Sequence, residues 1–336
     1  MSLLEYPPRL NLARIPTPLE LLPRASELWG HGKRIWVKRD DLTGSVLTGN
    51  KVRKLEFIAA HALENGYKTL VTCGGVQSNH CRATALVAAQ VGLGCHLVLR
   101  SDDGAVVETG NFLIDQLAGA SCEVLAAEGW SRNLRARYAS LEADFLNDGN
   151  PALMIPVGGS DSLGIWGYIA ATEELQSDIA ELGLERVAVT LATGSAGTQA
   201  GLTAGAAIFG LPFKVIGYAV CDDSEWFNAR VRADWRDSVA RWDQLPDVSL
   251  DPITRDHSVG PGYARATADV YEVIAELARV EGLVLDPVYT GKGFKGLIED
   301  IECGFYDDVD DIVFIHTGGV FGIFSHADPL LAAAHA

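Results

Sequence analysis

Three short stretches hold residues whose types and spacing could do chemistry. In LTGNKVRKLEF, from Leu47 to Phe57, the cations Lys51, Arg53 and Lys54 crowd a helix start behind Gly49 and Asn50. Basic side chains at a helix N-terminus oppose the macrodipole, so the placement has a local cost that an anionic ligand would offset. Neighbouring cations, the positive helix end and burial each favour the neutral form of a lysine amine, the form that attacks a carbonyl carbon. Lys51 meets those conditions. A solvated basic turn would carry the same letters.

In LATGSAGTQAGL an apolar run ends at Thr193, and Gly194, Ser195, Ala196, Gly197 and Thr198 lead straight into a small-residue helix. Such a loop lets backbone N–H groups approach a phosphate closely, although a tight strand-to-helix turn would use the same glycines. It is not GxxxxGK[ST], which argues against a nucleoside-triphosphate loop. In GGVQSNHCRA, Ser78 and Asn79 stand where helix N-caps are expected, and Gln77 and His80 flank them with more polarity than a cap requires.

These stretches sit in a regular frame. Short β-branched runs alternate with helical patterns for most of the 336 residues: RIWVKRDD, TLVTCGG, CHLVLR, SCEVLAA, ALMIPVGG, RVAVTLATGS, FKVIGYAVC and DIVFIHTGG read as strands. Ser131–Asn147 and Ala266–Glu281 read as helices between them. Strands apolar along their whole length predict an α/β fold of open, mostly parallel twisted sheets covered by helices on both faces. The formal charge of −17 argues against nucleic-acid or anionic-membrane partners. No apolar run reaches the length of a membrane span, and the N-terminus lacks the pattern of a secretory signal, so a cytoplasmic location is expected. The six cysteines and eight histidines fall in no metal-ligand spacing, and no metal is expected.

GKGFKG, Gly291–Gly296, formally matches the GxGxxG of dinucleotide-binding folds. Its late position and its two interior lysines speak against that use.

Taken together, TGNKVRKLEF, QSNHCRATA, TGSAGTQAGL, DPVYTGKGFKGL and HTGGVFG resemble, in order and spacing, the pyridoxal-phosphate enzymes of the tryptophan-synthase-β fold type. The branch they are most similar to contains 1-aminocyclopropane-1-carboxylate deaminase and D-cysteine desulfhydrase. The resemblance runs from IPTPLE to HTGG and implies fold type II. It implies a larger cofactor-binding domain of residues 1–48 and 159–336, with a smaller α/β domain inserted at 49–158. It implies pyridoxal 5'-phosphate carried on Lys51 and a small amino-acid substrate. Its phosphate lies on Gly194, Ser195, Ala196, Gly197 and Thr198, with Lys54 in reach. Asn79 then meets the ring hydroxyl, Ser78 the substrate carboxylate or proton, and His80 lies beside the substrate. Tyr289 lies against the ring and Tyr263 is a second family tyrosine. A homodimer is the family habit.

The deaminase pattern is Tyr-Glu followed later by His-Leu-Gly-Gly, whereas here Thr290 follows Tyr289 and Thr317 follows His316. Both changes resemble the desulfhydrase. Thr290 is then a substrate contact, and Thr317 a neutral partner for the pyridine nitrogen. A less electron-poor ring suits prompt loss of a β-leaving group. The resulting expectation is a carbon–sulfur lyase performing α,β-elimination on cysteine, the D-enantiomer foremost. The rivals are an L-cysteate sulfo-lyase, the deaminase itself and, in another class, a non-catalytic binder of amino acid or cofactor.

Overall fold

The computed structural model describes residues 4–102 and 104–336. Its elements follow in chain order: β1 (Leu19–Leu21), α1 (Pro23–Trp29), β2 (Arg34–Lys38), α2 (Lys51–Glu64), β3 (Thr69–Gly75), α3 (Asn79–Val91), β4 (Gly94–Ser101), α4 (Gly110–Leu117). They continue with β5 (Ser121–Ala126), α5 (Trp130–Asn147), β6 (Ala152–Met154), α6 (Trp166–Glu181), β7 (Val187–Thr193), α7 (Gly197–Ile208), β8 (Lys214–Ala219) and α8 (Ser224–Arg241). The last are β9 (Ile253–Arg255), α9 (Ala268–Glu281), α10 (Thr290–Glu302), β10 (Asp311–Ile315) and α11 (Ala327–His335).

The strands form two sheets. One has six strands in the order β1-β2-β10-β7-β8-β9, and the other four in the order β5-β4-β3-β6. Every pairing is parallel except β1 with β2. All seven residues of β7 and all five of β10 are buried, as strands with helices on both faces must be. One face of the six-stranded sheet packs Ile35, Ile216, Phe294, Leu297 and Phe314 with α9 and α10, and the other packs Val189, Leu191 and Val313 with α6 and α7. α3 starts on Ser78, whose side chain caps the first turn, and stops at Gly92, whose φ of 75° ends the helix in the left-handed region.

The expected strand in ALMIPVGG closes early. β6 ends at Met154, and Val157–Gly159 form a tight turn with left-handed φ at Gly158 and Gly159 (69° and 57°). The GKGFKG match lies inside α10, so it is no phosphate loop. Its glycines are packing residues instead: a Cβ at Gly296 would lie 2.6 Å from the Tyr218 ring. Among the described residues no helix is long and apolar enough to cross a membrane.

Candidate active site

In open parallel sheets a ligand sits beyond the carboxyl ends of the strands, where loops diverge. Here a cavity of about 400 Å³ takes its wall from those ends in both sheets. Gly74 and Gly75 close β3, Arg100 lies near the end of β4, Thr193 closes β7, Cys221 follows β8 and Thr317 follows β10.

Lys51, the first residue of α2, reaches into this cavity, with its Nζ 3.5 Å from the Gly158 carbonyl. Burial lowers its ammonium pKa to about 8. The basic cluster around it does not act as the sequence suggested. Arg53 turns away into a buried ion-pair network, 2.7 Å from Asp40 and 2.9 Å from Glu174. Lys54 is fully buried outside the cavity wall, donating to the Gly158 carbonyl and the Ser160 hydroxyl, each at 3.2 Å. Burial, then the charge of Lys51, holds its ammonium pKa well below the usual range.

Three turns converge on Lys51. Ser78, Asn79 and His80 line the cavity; the Ser78 Oγ accepts the Cys81 N–H at 3.2 Å, and Asn79 Oδ1 accepts from Asn111. His80 Nε2 meets Thr72 Oγ1 at 2.8 Å, and that hydroxyl donates to the Ile155 carbonyl. The proton is therefore assigned to Nε2, leaving Nδ1 an unpartnered buried acceptor. Gln77 bonds the carbonyls of Val107 and Thr109, fixing the approach to α4. The second turn carries Gly194, Ser195, Ala196 and Thr198 in the wall, at the start of α7. Ala196 holds φ 65°, a conformation an alanine adopts only at a cost, and such strain gathers at ligand sites. Gly197 faces away from the cavity, its N–H bonded to Ser160 Oγ at 3.2 Å. The sequence reading missed the third turn, Val157–Ser160, where Ser160 and Ser195 share a 2.8 Å hydrogen bond. Its signal was a second glycine pair after a strand. Asn50 was also missed; its amide donates to Thr198 Oγ1 at 2.9 Å and ties the start of α2 to that of α7.

Tyr263 and Tyr289 face the cavity with hydroxyls 2.8 Å apart. Burial pushes both phenols above their ordinary pKa, so both stay protonated at neutral pH. Thr317 is in the wall, its turn held by His316, which accepts the Gly318 N–H at Nδ1 and donates from Nε2 to the Val284 carbonyl. Thr290 does not reach the cavity: it is fully buried and bonds Asp286 through both its hydroxyl (2.7 Å) and its N–H (3.0 Å). Lys292, from GKGFKG, donates to the carbonyls of Val259 and Gly262 (both 2.7 Å) and Val220 (3.2 Å), anchoring the loop that carries Tyr263.

Fold and cavity together define an α/β enzyme with a buried amine beside a helix start, between two parallel sheets. A family model described as pyridoxal-phosphate dependent enzyme matches residues 10–318, so the chain belongs to that family, and pyridoxal 5'-phosphate is its cofactor. A mitochondrial bifunctional D-cysteine desulfhydrase/1-aminocyclopropane-1-carboxylate deaminase of Arabidopsis thaliana is 37% identical, over 95% of this chain and 80% of its own. A putative 1-aminocyclopropane-1-carboxylate deaminase of Pyrococcus abyssi is 38% identical, over 98% and 97%. The crystal structure of an ACC deaminase homologue superposes with a TM-score of 0.88 at 33% identity, covering 97% of this chain and 96% of that one. A threonine deaminase structure at 20% identity and TM-score 0.63 shares the fold alone.

The residues present fit the cofactor. An amine whose ammonium pKa burial lowers to about 8 suits its aldehyde, and the α7 helix start with Ser195 and Thr198 suits its phosphate. Asn50 links these two features, so one ligand can meet both.

Proposed function

We propose that this enzyme is a carbon–sulfur lyase that converts D-cysteine to pyruvate, hydrogen sulfide and ammonia. The observation that carries the reading is Thr317 in the cavity wall: a hydroxyl-bearing residue lines the site where the deaminase pattern has leucine. The name of the Arabidopsis relative includes the same activity.

The cofactor, when bound, supplies an electron sink for the pair left at Cα. The chain supplies the rest. Lys51 would hold the cofactor through its amine and be freed for proton transfer once substrate takes its place. Ser78, Asn79 and the first-turn N–H groups of α3 receive the substrate carboxylate, with His80 beside them. Gly194, Ser195, Ala196 and Thr198 would surround the phosphate, while Gly197 and Lys54 support that loop from behind through Ser160. Lys51, its ammonium pKa lowered to about 8 by burial, takes the Cα proton. Tyr263 and Tyr289, kept protonated, are donors to the departing sulfur. The C–S bond breaks, hydrosulfide leaves with its electron pair, and released 2-aminoacrylate hydrolyses to pyruvate and ammonium with no net redox change. Thr290 acts through Asp286, fixing the backbone at Tyr289.

We place the inserted domain at 49–158 and the larger one at 1–48 and 159–336, and we take the working unit to be a homodimer. The test is product stoichiometry: one sulfide and one pyruvate per D-cysteine consumed. Consumption without sulfide would overturn the reading. The relatives' names also include ring opening of 1-aminocyclopropane-1-carboxylate, so that compound is assayed in parallel.

A further inference from the structure

We propose that Arg100 anchors a second anionic group of the substrate, carried on its β-carbon, so that the site also takes β-substituted alanines whose substituent is an acid. The proposal rests on the elimination reading above and names its substrate class.

Arg100 stands near the end of β4, in register with Gly75 at the end of β3, and its carbonyl accepts the Val76 N–H at 3.3 Å. Its backbone is therefore one strand away from the turn that presents Ser78. The side chain lines the cavity, with the guanidinium 5.2 Å from the centroid of the Tyr263 ring, and Tyr263 in turn bonds Tyr289. A guanidinium over a ring face is held in orientation while its N–H groups stay free for a ligand.

Among the described residues that guanidinium forms no hydrogen bond and no ion pair. Asp102 pairs with Arg265 at 3.1 Å. Arg230, across the cavity, is bound to Asp234 at 2.8 Å and donates to the Ser160 carbonyl. Among the described residues Asp222 is the one carboxylate in the wall, and no ion pair joins it to Arg100. Lys51 is committed to the cofactor. The wall thus holds one arginine whose charge no described residue answers.

The substrate's α-carboxylate already has a receptor in the Ser78 hydroxyl and the α3 helix start. The arginine is then left for a different anion, and the planar fork of its N–H groups matches two oxygens of a carboxylate, sulfinate or sulfonate. Elimination makes the match more favourable. As the Cα proton leaves and the Cβ–X bond breaks, the substituent departs with the bonding pair, so negative charge grows on X: a sulfonate leaves as sulfite. A cation held beside X stabilises that growth more than the ground state.

The test compares isosteres that differ in charge. Holoenzyme, wild type and Arg100→Gln, is titrated calorimetrically with aspartate, asparagine and alanine in both enantiomers. Kinetics are measured with cysteate, scored as sulfite, and with β-chloroalanine. In the wild type, aspartate of one hand should bind about tenfold to a hundredfold tighter than the asparagine of that hand. Arg100→Gln should abolish most of that ratio and lower the cysteate-to-β-chloroalanine ratio of kcat/KM about tenfold or more, with Arg100→Lys restoring part of both. Loss of affinity that is equal for aspartate, asparagine and alanine would make Arg100 an α-carboxylate ligand and overturn the proposal. Unchanged ratios would overturn it as well. If the wild type gave no pyruvate from any substrate, the elimination reading would fail, while the aspartate-to-asparagine ratio would still decide the role of Arg100.

Discussion

A lysine can be read from sequence as a nucleophile, but what lowers its pKa cannot. Neighbouring cations, the helix start and burial were the candidate causes at Lys51; burial is the one the structure gives first, and Arg53 spends its charge on Asp40 and Glu174. Two outcomes follow for this residue. Borohydride reduction of the holoenzyme should fix the cofactor to Lys51 on peptide mapping, and Lys51→Ala should fold yet lose turnover; label on another lysine would refute the assignment. Uptake of pyridoxal phosphate by cofactor-free protein needs the neutral amine, so its rate should climb as pH rises through about 8 and then level. A flat profile from pH 6 to 10 would contradict a free amine at Lys51. Gly197 changes meaning too. Read as part of the phosphate loop, a valine there should cost cofactor more than stability. In the structure its Cβ would lie 2.4 Å from Ser160 Oγ and 2.7 Å from Lys54 Nζ, in the protein interior. Gly197→Val should therefore destabilise the cofactor-free protein by about 1–3 kcal/mol in urea melts, as overpacking does.

Elements were legible where burial makes the pattern continuous. The seven apolar or small residues of β7 and the apolar residues 312–315 of β10 left no other reading. The three-residue strands β1 and β9 were missed, because so few residues carry no period of their own and owe their state to the neighbour they pair with. The turns at 194–198 and at Ser78 were legible because glycine and cap residues announce them. The Val157–Ser160 turn, hidden behind what read as a longer strand, was not. GKGFKG shows the converse: a phosphate-loop spelling inside a helix, with glycines chosen for close packing and Lys292 bonded to three carbonyls. Lys292→Met leaves those three carbonyls without their donor. It should lower kcat and thermal stability together by loosening the Tyr263 loop, and crystallography of the variant should show Tyr263 and Tyr289 parted. An unmoved tyrosine pair with full activity would make Lys292 a bystander.

Across the whole molecule, the chain's excess acid is partly put to use in joining its parts. Arg53 on α2, Lys38 on β2, Asp40 beyond it, and Glu174 and Asp178 on α6 form one buried network. Burial acts to raise the Glu174 pKa, but Arg53 and Lys38 outweigh it and hold the carboxyl at about 2. A carboxyl depressed in the folded state contributes its stability above its unfolded pKa, and that contribution should fade as pH falls from roughly 4.5 toward 2. Glu174→Gln should cost about 3–5 kcal/mol at neutral pH and blunt that acid dependence; a urea series from pH 3 to 7 measures both. The same scale decides function, because fold and family are shared by enzymes that break different bonds. The most direct measurement is a competition assay on the holoenzyme between D-cysteine and 1-aminocyclopropane-1-carboxylate, scored as pyruvate against 2-oxobutyrate. With Thr317 in the wall and Thr290 bound to Asp286, D-cysteine should win by about tenfold or more in kcat/KM, which is at least about 1.4 kcal/mol of transition-state preference. Equal or greater 2-oxobutyrate production would contradict the elimination assignment.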